Sequence, residues 1–217
     1  MKESNSNNYP APAVIEAIRY FGITVSKLFW RMKFHGTENI PQNLESGLLI
    51  VPNHQSYFDP FWICIPIRRK FRFMAWDKAF EWFLVGDMIR YLGAFPVNLE
   101  RGSKESLKQA VKALREGATL VIFPEGGIFQ DGEVHPIKPG LARLAIQAEL
   151  SKPGLGVKIV PMSIRYRPRI PQWGSQVKIA IGSAISVADY AHCGGGKKEA
   201  RVLTAEIEKA LKNLDES

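Results

Sequence analysis

The stretch Val51-Pro52-Asn53-His54-Gln55-Ser56-Tyr57-Phe58-Asp59-Pro60 places an imidazole and a carboxylate five positions apart, directly after an apolar run. An imidazole can take the proton of a hydroxyl, and a carboxylate that holds the ring stabilises its charged form. The same residues also have a structural reading. Asp59 before Pro60 can cap a helix, and Asn53 is a common turn residue. Spacing alone favours that plainer reading. Other chemistries find less support. Ser56 has no G-x-S-x-G surround and stands two residues from His54. His35, His54, His135 and His192 show no paired ligand spacing, so no metal and no bound cofactor are expected. Gly194-Gly195-Gly196-Lys197-Lys198 lacks the first glycine and the trailing Ser/Thr of a phosphate loop and reads as a flexible connection.

The elements that must position His54 follow from hydrophobic periodicity. Ala11–Phe34 reads as an amphipathic helix carrying Phe21, Leu28, Phe29 and Trp30 beside Arg19, Lys27 and Arg31. Gly47–Val51 reads as a strand, and Asp59-Pro60 opens a short helix with the acid as its cap. Phe71–Trp76 alternates like a strand. Lys78–Leu92 has a helical pattern with a break at Gly86-Asp87, Ala94–Leu99 returns to strand, and Ser103–Glu116 is an amphipathic helix stopped by Gly117. Ala118–Phe123 is a buried-type strand running into Pro124-Glu125-Gly126-Gly127. Pro139–Leu150 is helix, Gly156–Ile164 and Gln176–Gly182 are strands, and Lys197–Leu214 is the closing helix. Strands alternating with helices imply an α/β fold with a mixed, mostly parallel sheet flanked by helices. Ligands of such sheets sit beyond the carboxyl ends of the strands, where His54 and Glu125 both fall.

With 217 residues, 46% hydrophobic and 23% charged, the chain can bury one sizeable core. The expected division is a disordered tail over 1–10, the amphipathic helix over 11–34 and a single domain over 35–217. Two cysteines, Cys64 and Cys193, argue against a disulfide scaffold and fit a reducing compartment. The net charge of +8 implies acidic partners: nucleic acid, anionic lipid or an acidic carrier protein. No window approaches the roughly 18 apolar residues of a spanning helix. The mixture in 11–34 suits either an interfacial helix or one docked on the core, and Phe80–Val85 is a second apolar candidate for membrane contact.

Asn53-His54-x4-Asp59 followed by Phe123-Pro124-Glu125-Gly126 resembles the glycerolipid acyltransferase family, which includes the lysophosphatidate acyltransferases. Further blocks fit in order: Ala75-Trp-Asp-Lys78, Gly93 to Arg101, the Lys138-Pro-Gly140 to Ala145 run, and Ile159-Val160-Pro161-Met-Ser-Ile164. The resemblance covers roughly residues 35–165. It implies acyl transfer from a thioester, either acyl-CoA or acyl-carrier protein as co-substrate, to the hydroxyl of a lysophospholipid-type acceptor. The acceptor implied is 1-acylglycerol-3-phosphate, and the product phosphatidic acid. His54 would be the general base oriented by Asp59. Arg101, Glu125 and Gly126 would bind the acceptor, with Asn53 and Lys138 as supporting positions. Pro161 is read instead as shaping a strand edge along an acyl pocket. Backbone N–H groups near the motif, the start of the Asp59 helix among them, would hold the oxyanion.

One departure stands out. The family's third block continues Glu-Gly-Thr-Arg, and here Gly127-Ile128 follow Glu125-Gly126. The missing arginine removes a planar bidentate donor for a phosphate, which keeps a non-phosphorylated lipid alcohol open as acceptor. The basic runs Arg68-Arg-Lys-Phe-Arg72 and Arg165-Tyr-Arg-Pro-Arg169 suit solvated faces, anionic lipid or an acyl carrier protein. A nucleic-acid-binding module would explain the charge, but no groove-reading or stacking motif accompanies it, so no nucleic-acid partner is expected. The expected location is the cytoplasmic face of a membrane, held peripherally.

Overall fold

A computed structural model of the chain describes residues 12–42, 45–69, 71–82, 85–91, 93–97, 104–152, 154–191 and 196–216. The expected tail over 1–10 and Arg101 lie outside them. In chain order the elements are α1 (Pro12–Phe29), β1 (Arg31–His35), β2 (Leu48–Pro52), α2 (Asp59–Cys64), β3 (Phe71–Trp76) and a 3-10 turn (Asp77–Glu81). Then come α3 (Val85–Tyr91), β4 (Phe95–Val97), α4 (Lys104–Arg115), β5 (Thr119–Val121), α5 (Gly140–Leu150) and β6 (Lys158–Arg167). The chain closes with β7 (Gln176–Ile181), β8 (Ile185–Ser186), α6 (Ala188–Ala191) and α7 (Lys197–Glu216).

These strands form one eight-stranded sheet in the order β1-β7-β6-β2-β5-β3-β4, with β8 on β6. All pairs are parallel except β6/β7 and β6/β8, so the mixed, mostly parallel α/β fold expected from the alternation is present. Strand β2 shows why an unbroken apolar run signals the sheet centre. Leu48, Leu49, Ile50 and Val51 are each 0% exposed. The pleat sends Leu49 and Val51 to one face, under α4, α5 and α7, and Leu48 and Ile50 to the other, with Trp62 and Ile63 of α2. Truncating any of these to alanine would cost about 2–5 kcal/mol.

Three expectations are corrected by the fold. The N-terminal helix stops at Phe29, not Phe34, because Arg31–His35 pairs residue by residue with Gln176–Ala180. The alternation of exposed Arg31, Lys33 and His35 with half-buried Met32 and Phe34 is a strand pattern, and β7 offers the open edge it covers. A boundary at 34–35 therefore falls inside the sheet. The Lys78–Leu92 helix is a 3-10 turn followed by α3, so the break precedes Gly86, and Phe80 is buried beneath the Arg90 guanidinium. Pro161 lies inside β6 and not at an edge. It occupies the gap between Ile159, the last β6 residue paired with β8, and Met162, the first paired with β7, a place where a missing N–H costs little. Among the described residues no helix is long and apolar enough to cross a membrane.

Candidate active site

Strand β2 ends at Pro52, and its neighbours hold the next residue in place. Asn53 is fully buried. Its Oδ1 accepts the Ile164 N–H at 2.7 Å and its Nδ2 donates to the Ile164 carbonyl at 3.1 Å, so the carboxamide acts as one more peptide in the β2–β6 ladder. His54 follows at the carboxyl end of the strand. Its Nδ1 is 2.9 Å from Asp59 Oδ2, and its ring stacks on Phe123 with centroids 3.8 Å apart.

Asp59 does not cap α2. No side chain bonds the helix start, and the carboxylate turns back over the preceding loop. Oδ2 accepts the N–H groups of Gln55 at 2.7 Å and Ser56 at 2.9 Å as well as His54 Nδ1. Oδ1 accepts the Tyr166 hydroxyl at 2.5 Å. A carboxylate removed from water needs such donors, and this one, 0% exposed, receives four. Burial first, then the negative charge of Asp59, push the Tyr166 phenol upward, so it stays a proton donor to the carboxylate. With Nδ1–H given to Asp59, the imidazole presents Nε2 as a free acceptor. Such an arrangement can serve as a general base.

Glu125 sits past the end of β5, 6% exposed, and its two oxygens serve two loops. Oε2 accepts the backbone N–H of His54 at 3.0 Å and Oε1 that of His135 at 3.1 Å. Burial raises its carboxyl above the ordinary range, against the opposing pull of those two N–H groups. The geometry gives it a bracing task on the His54 backbone. Gly126 has φ 72°, a left-handed conformation that favours glycine, and the Lys138 side chain lies along it. A Cβ built on Gly126 would clash with Lys138 Nζ. The Phe129 N–H donates to the His54 carbonyl at 2.8 Å, closing this loop onto His54.

The structure thus gathers His54, Asp59, Glu125, Gly126 and Asn53 at one end of the sheet, with Lys138 against Gly126, while Pro161 stays within β6. Of the expected oxyanion donors near the motif, the N–H groups of Gln55, Ser56, Phe58 and Asp59 bond within the loop, while that of Tyr57 has no partner among the described residues. The N–H groups of Gly127 and Ile128 likewise have no partner among the described residues. Sequence reading missed Tyr166. Its signal was the period-2 series Met162, Ile164, Tyr166 on the face that holds α2. It also missed a second pair, His135 Nε2 to Asp131 Oδ2 at 2.7 Å. Among the described residues no three His, Cys, Asp or Glu side chains converge as a metal site.

Residues 31–165 match the family model described as Acyltransferase. A chloroplastic 1-acyl-sn-glycerol-3-phosphate acyltransferase of Arabidopsis thaliana is 26% identical over 150 residues, 68% of this chain and 40% of that protein's length. The Bacillus subtilis (strain 168) 1-acyl-sn-glycerol-3-phosphate acyltransferase is 26% identical over 191 residues, 85% of this chain and 88% of the relative. The chain therefore spans well under half of the plant protein and most of the bacterial one. Among solved structures, the 1-acyl-sn-glycerophosphate (LPA) acyltransferase of Thermotoga maritima shares the fold. Its TM-score is 0.70 at 24% identity, over 94% of this chain and 79% of that one.

Proposed function

Because this chain belongs to the acyltransferase family, we propose that it transfers an acyl group from an acyl thioester to the free hydroxyl of a 1-acylglycerol-3-phosphate. The observation that carries this reading is the His54–Asp59 pair at 2.9 Å, with Asp59 saturated by donors and Nε2 left open. Nε2 of His54 takes the acceptor's hydroxyl proton as that oxygen bonds to the thioester carbon. The imidazolium is stabilised by Asp59. The carbonyl oxygen gathers negative charge, for which the N–H groups of Tyr57, Gly127 and Ile128 are available donors. When the C–S bond breaks, the thiolate takes the proton from His54 and leaves as the free thiol. No acyl-enzyme forms, since the thioester is already activated.

Glu125 acts through His54, holding its main chain, and is a positioning residue. Lys138, whose ammonium lies over Gly126, is a cation at the loop where Ile128 stands in place of arginine. With Arg101 it would hold the acceptor's phosphate. Ile128 itself favours the second reading, a non-phosphorylated lipid alcohol. The donor, acyl-CoA or acyl-carrier protein, and a peripheral site on the cytoplasmic face of a membrane complete the proposal. The deciding experiment assays the purified full chain with both donors against lysophosphatidate and monoacylglycerol. Transfer to lysophosphatidate, with an acceptor KM raised in Lys138→Ala, is expected. Preference for monoacylglycerol would move the assignment to the second reading, and no transfer to either would end both.

A further inference from the structure

The sheet brings three surfaces to the same end. Strands β2 and β6 run parallel, with Pro52 level with Met162. Beyond that level β6 continues five residues to Arg167, which pairs with Gln176 of β7, and Gln176 in turn pairs with Arg31 of β1. At about 3.3 Å per residue, this hairpin projects roughly 16 Å past the strand end that carries His54. The loop at its tip, residues 168–175, and the last turn of α1 therefore stand above the candidate active site.

Their side chains are not those of an ordinary solvated loop. Ile170 is 66% exposed and Trp173 72% exposed, beside exposed Arg167 and Arg169. Trp173 stacks on Trp30 with centroids 5.2 Å apart and meets Phe29 edge-on at 4.8 Å. Trp30 in turn meets Phe58, in the loop between His54 and Asp59, at 5.6 Å. An open groove of about 360 Å³ runs between the two segments, lined by Leu28, Phe29, Trp30, Arg31 and Gly174. Arg169 reaches the loop that follows Glu125, its Nε 3.4 Å from where a Cβ on Gly132 would lie.

We propose that the β6–β7 loop, joined through Trp173 to the end of α1, is a membrane contact seated at head-group depth on an anionic bilayer. Apolar Ile170 and an amphipathic indole sink at that depth while arginine heads stay with the phosphates, a division that neither water nor a protein core offers these four side chains together. The charge selects the surface: the chain carries +8 and its tip carries arginine. The recessed catalytic end then faces the layer in which a lysophospholipid resides. This rests on the lipid acceptor proposed above and adds a surface to it.

The test is co-sedimentation of the full chain with phosphatidylcholine vesicles, with and without phosphatidylglycerol, alongside acyl transfer to acceptor dispersed in detergent. Arg167→Gln/Arg169→Gln should weaken binding to the anionic vesicles by roughly 10- to 30-fold, at about fivefold per basic residue. Ile170→Ser/Trp173→Ser should weaken binding to both kinds. Each variant should keep its circular dichroism and its rate on dispersed acceptor. Vesicle binding equal to the parent's in both variants overturns the proposal. So does unchanged vesicle binding with a rate lost only when the donor is acyl-carrier protein, which would make the loop a protein dock. Loss of the detergent rate in the parent chain would instead count against the acyl-transfer reading.

Discussion

Two His–Asp pairs lie side by side in this protein, and at first sight they are equivalents. His54 is 2.9 Å from Asp59 and His135 is 2.7 Å from Asp131. Each ring stacks on a phenylalanine at 3.8 Å, Phe123 or Phe129, and each backbone N–H is held by one oxygen of Glu125. They differ in what surrounds the acid and in which nitrogen it takes. The Asp59 side chain is 0% exposed with four donors, whereas that of Asp131 is 48% exposed and shared with the Glu133 N–H. Asp59 binds Nδ1 and leaves the outer Nε2 of His54 free, while Asp131 binds Nε2 of His135 and ties up the nitrogen with the longest reach. Distance makes an ion pair. Burial and the choice of nitrogen make a base.

The sharpest way to test that contrast is to remove the first pair. His54→Ala and Asp59→Asn should each lower kcat/KM by roughly 100- to 10,000-fold without unfolding the chain, as loss of a general base does. A folded His54→Ala variant with parental turnover, or a trapped acyl-enzyme, would refute the base assignment.

Glu125, common to both pairs, comes next. Glu125→Gln offers one carbonyl oxygen to two N–H groups, so one is left bare at about 1–3 kcal/mol, and kcat should fall by roughly one to two orders of magnitude. A pH signature accompanies it. A carboxyl raised above its ordinary value near 4.5 favours the folded state fully below that value, and its contribution declines as pH rises through the raised one. The stability gap between parent and Glu125→Gln, read by thermal unfolding, should therefore narrow from pH 4.5 towards neutrality. A gap that widens with pH would contradict burial as the dominant influence.

Tyr166→Phe should lower kcat by about tenfold and leave both KM values in place, since the hydroxyl donates to Asp59 Oδ1. A change confined to KM would place Tyr166 in a substrate pocket instead. Smallest of all, Asp131→Asn should change kcat/KM by less than about threefold, as expected of an exposed pair. Were it to match Asp59→Asn, the two sites would be functionally equivalent and burial would not be what separates them.

The two basic runs, alike on paper, make the same point about legibility. Arg69 is buried at the opposite end of the sheet, where its guanidinium donates to the carbonyls of Pro41, Ser46 and Gly117 and burial lowers its pKa. It is a brace, while Arg167 and Arg169 are exposed at the end that carries His54. What the amino-acid order determined by itself was local: the apolar runs of β2 and β5, the amphipathic α4 stopped by Gly117 at φ 75°, and a histidine and an acid next to each other on one loop. Periodicity and turn chemistry act over a few residues, so they can be read there. Only the tertiary structure decided that Arg31–His35 pairs with β7 rather than extending α1, and that Tyr166, 107 residues from Asp59, completes its shell. It alone decided that Glu125 braces the backbone of His54, that Pro161 falls in a gap between two strands, and which histidine keeps its outer nitrogen free. Those outcomes depend on which strand edges meet and how deep each acid lies, and a linear pattern encodes neither until the sheet has closed around it.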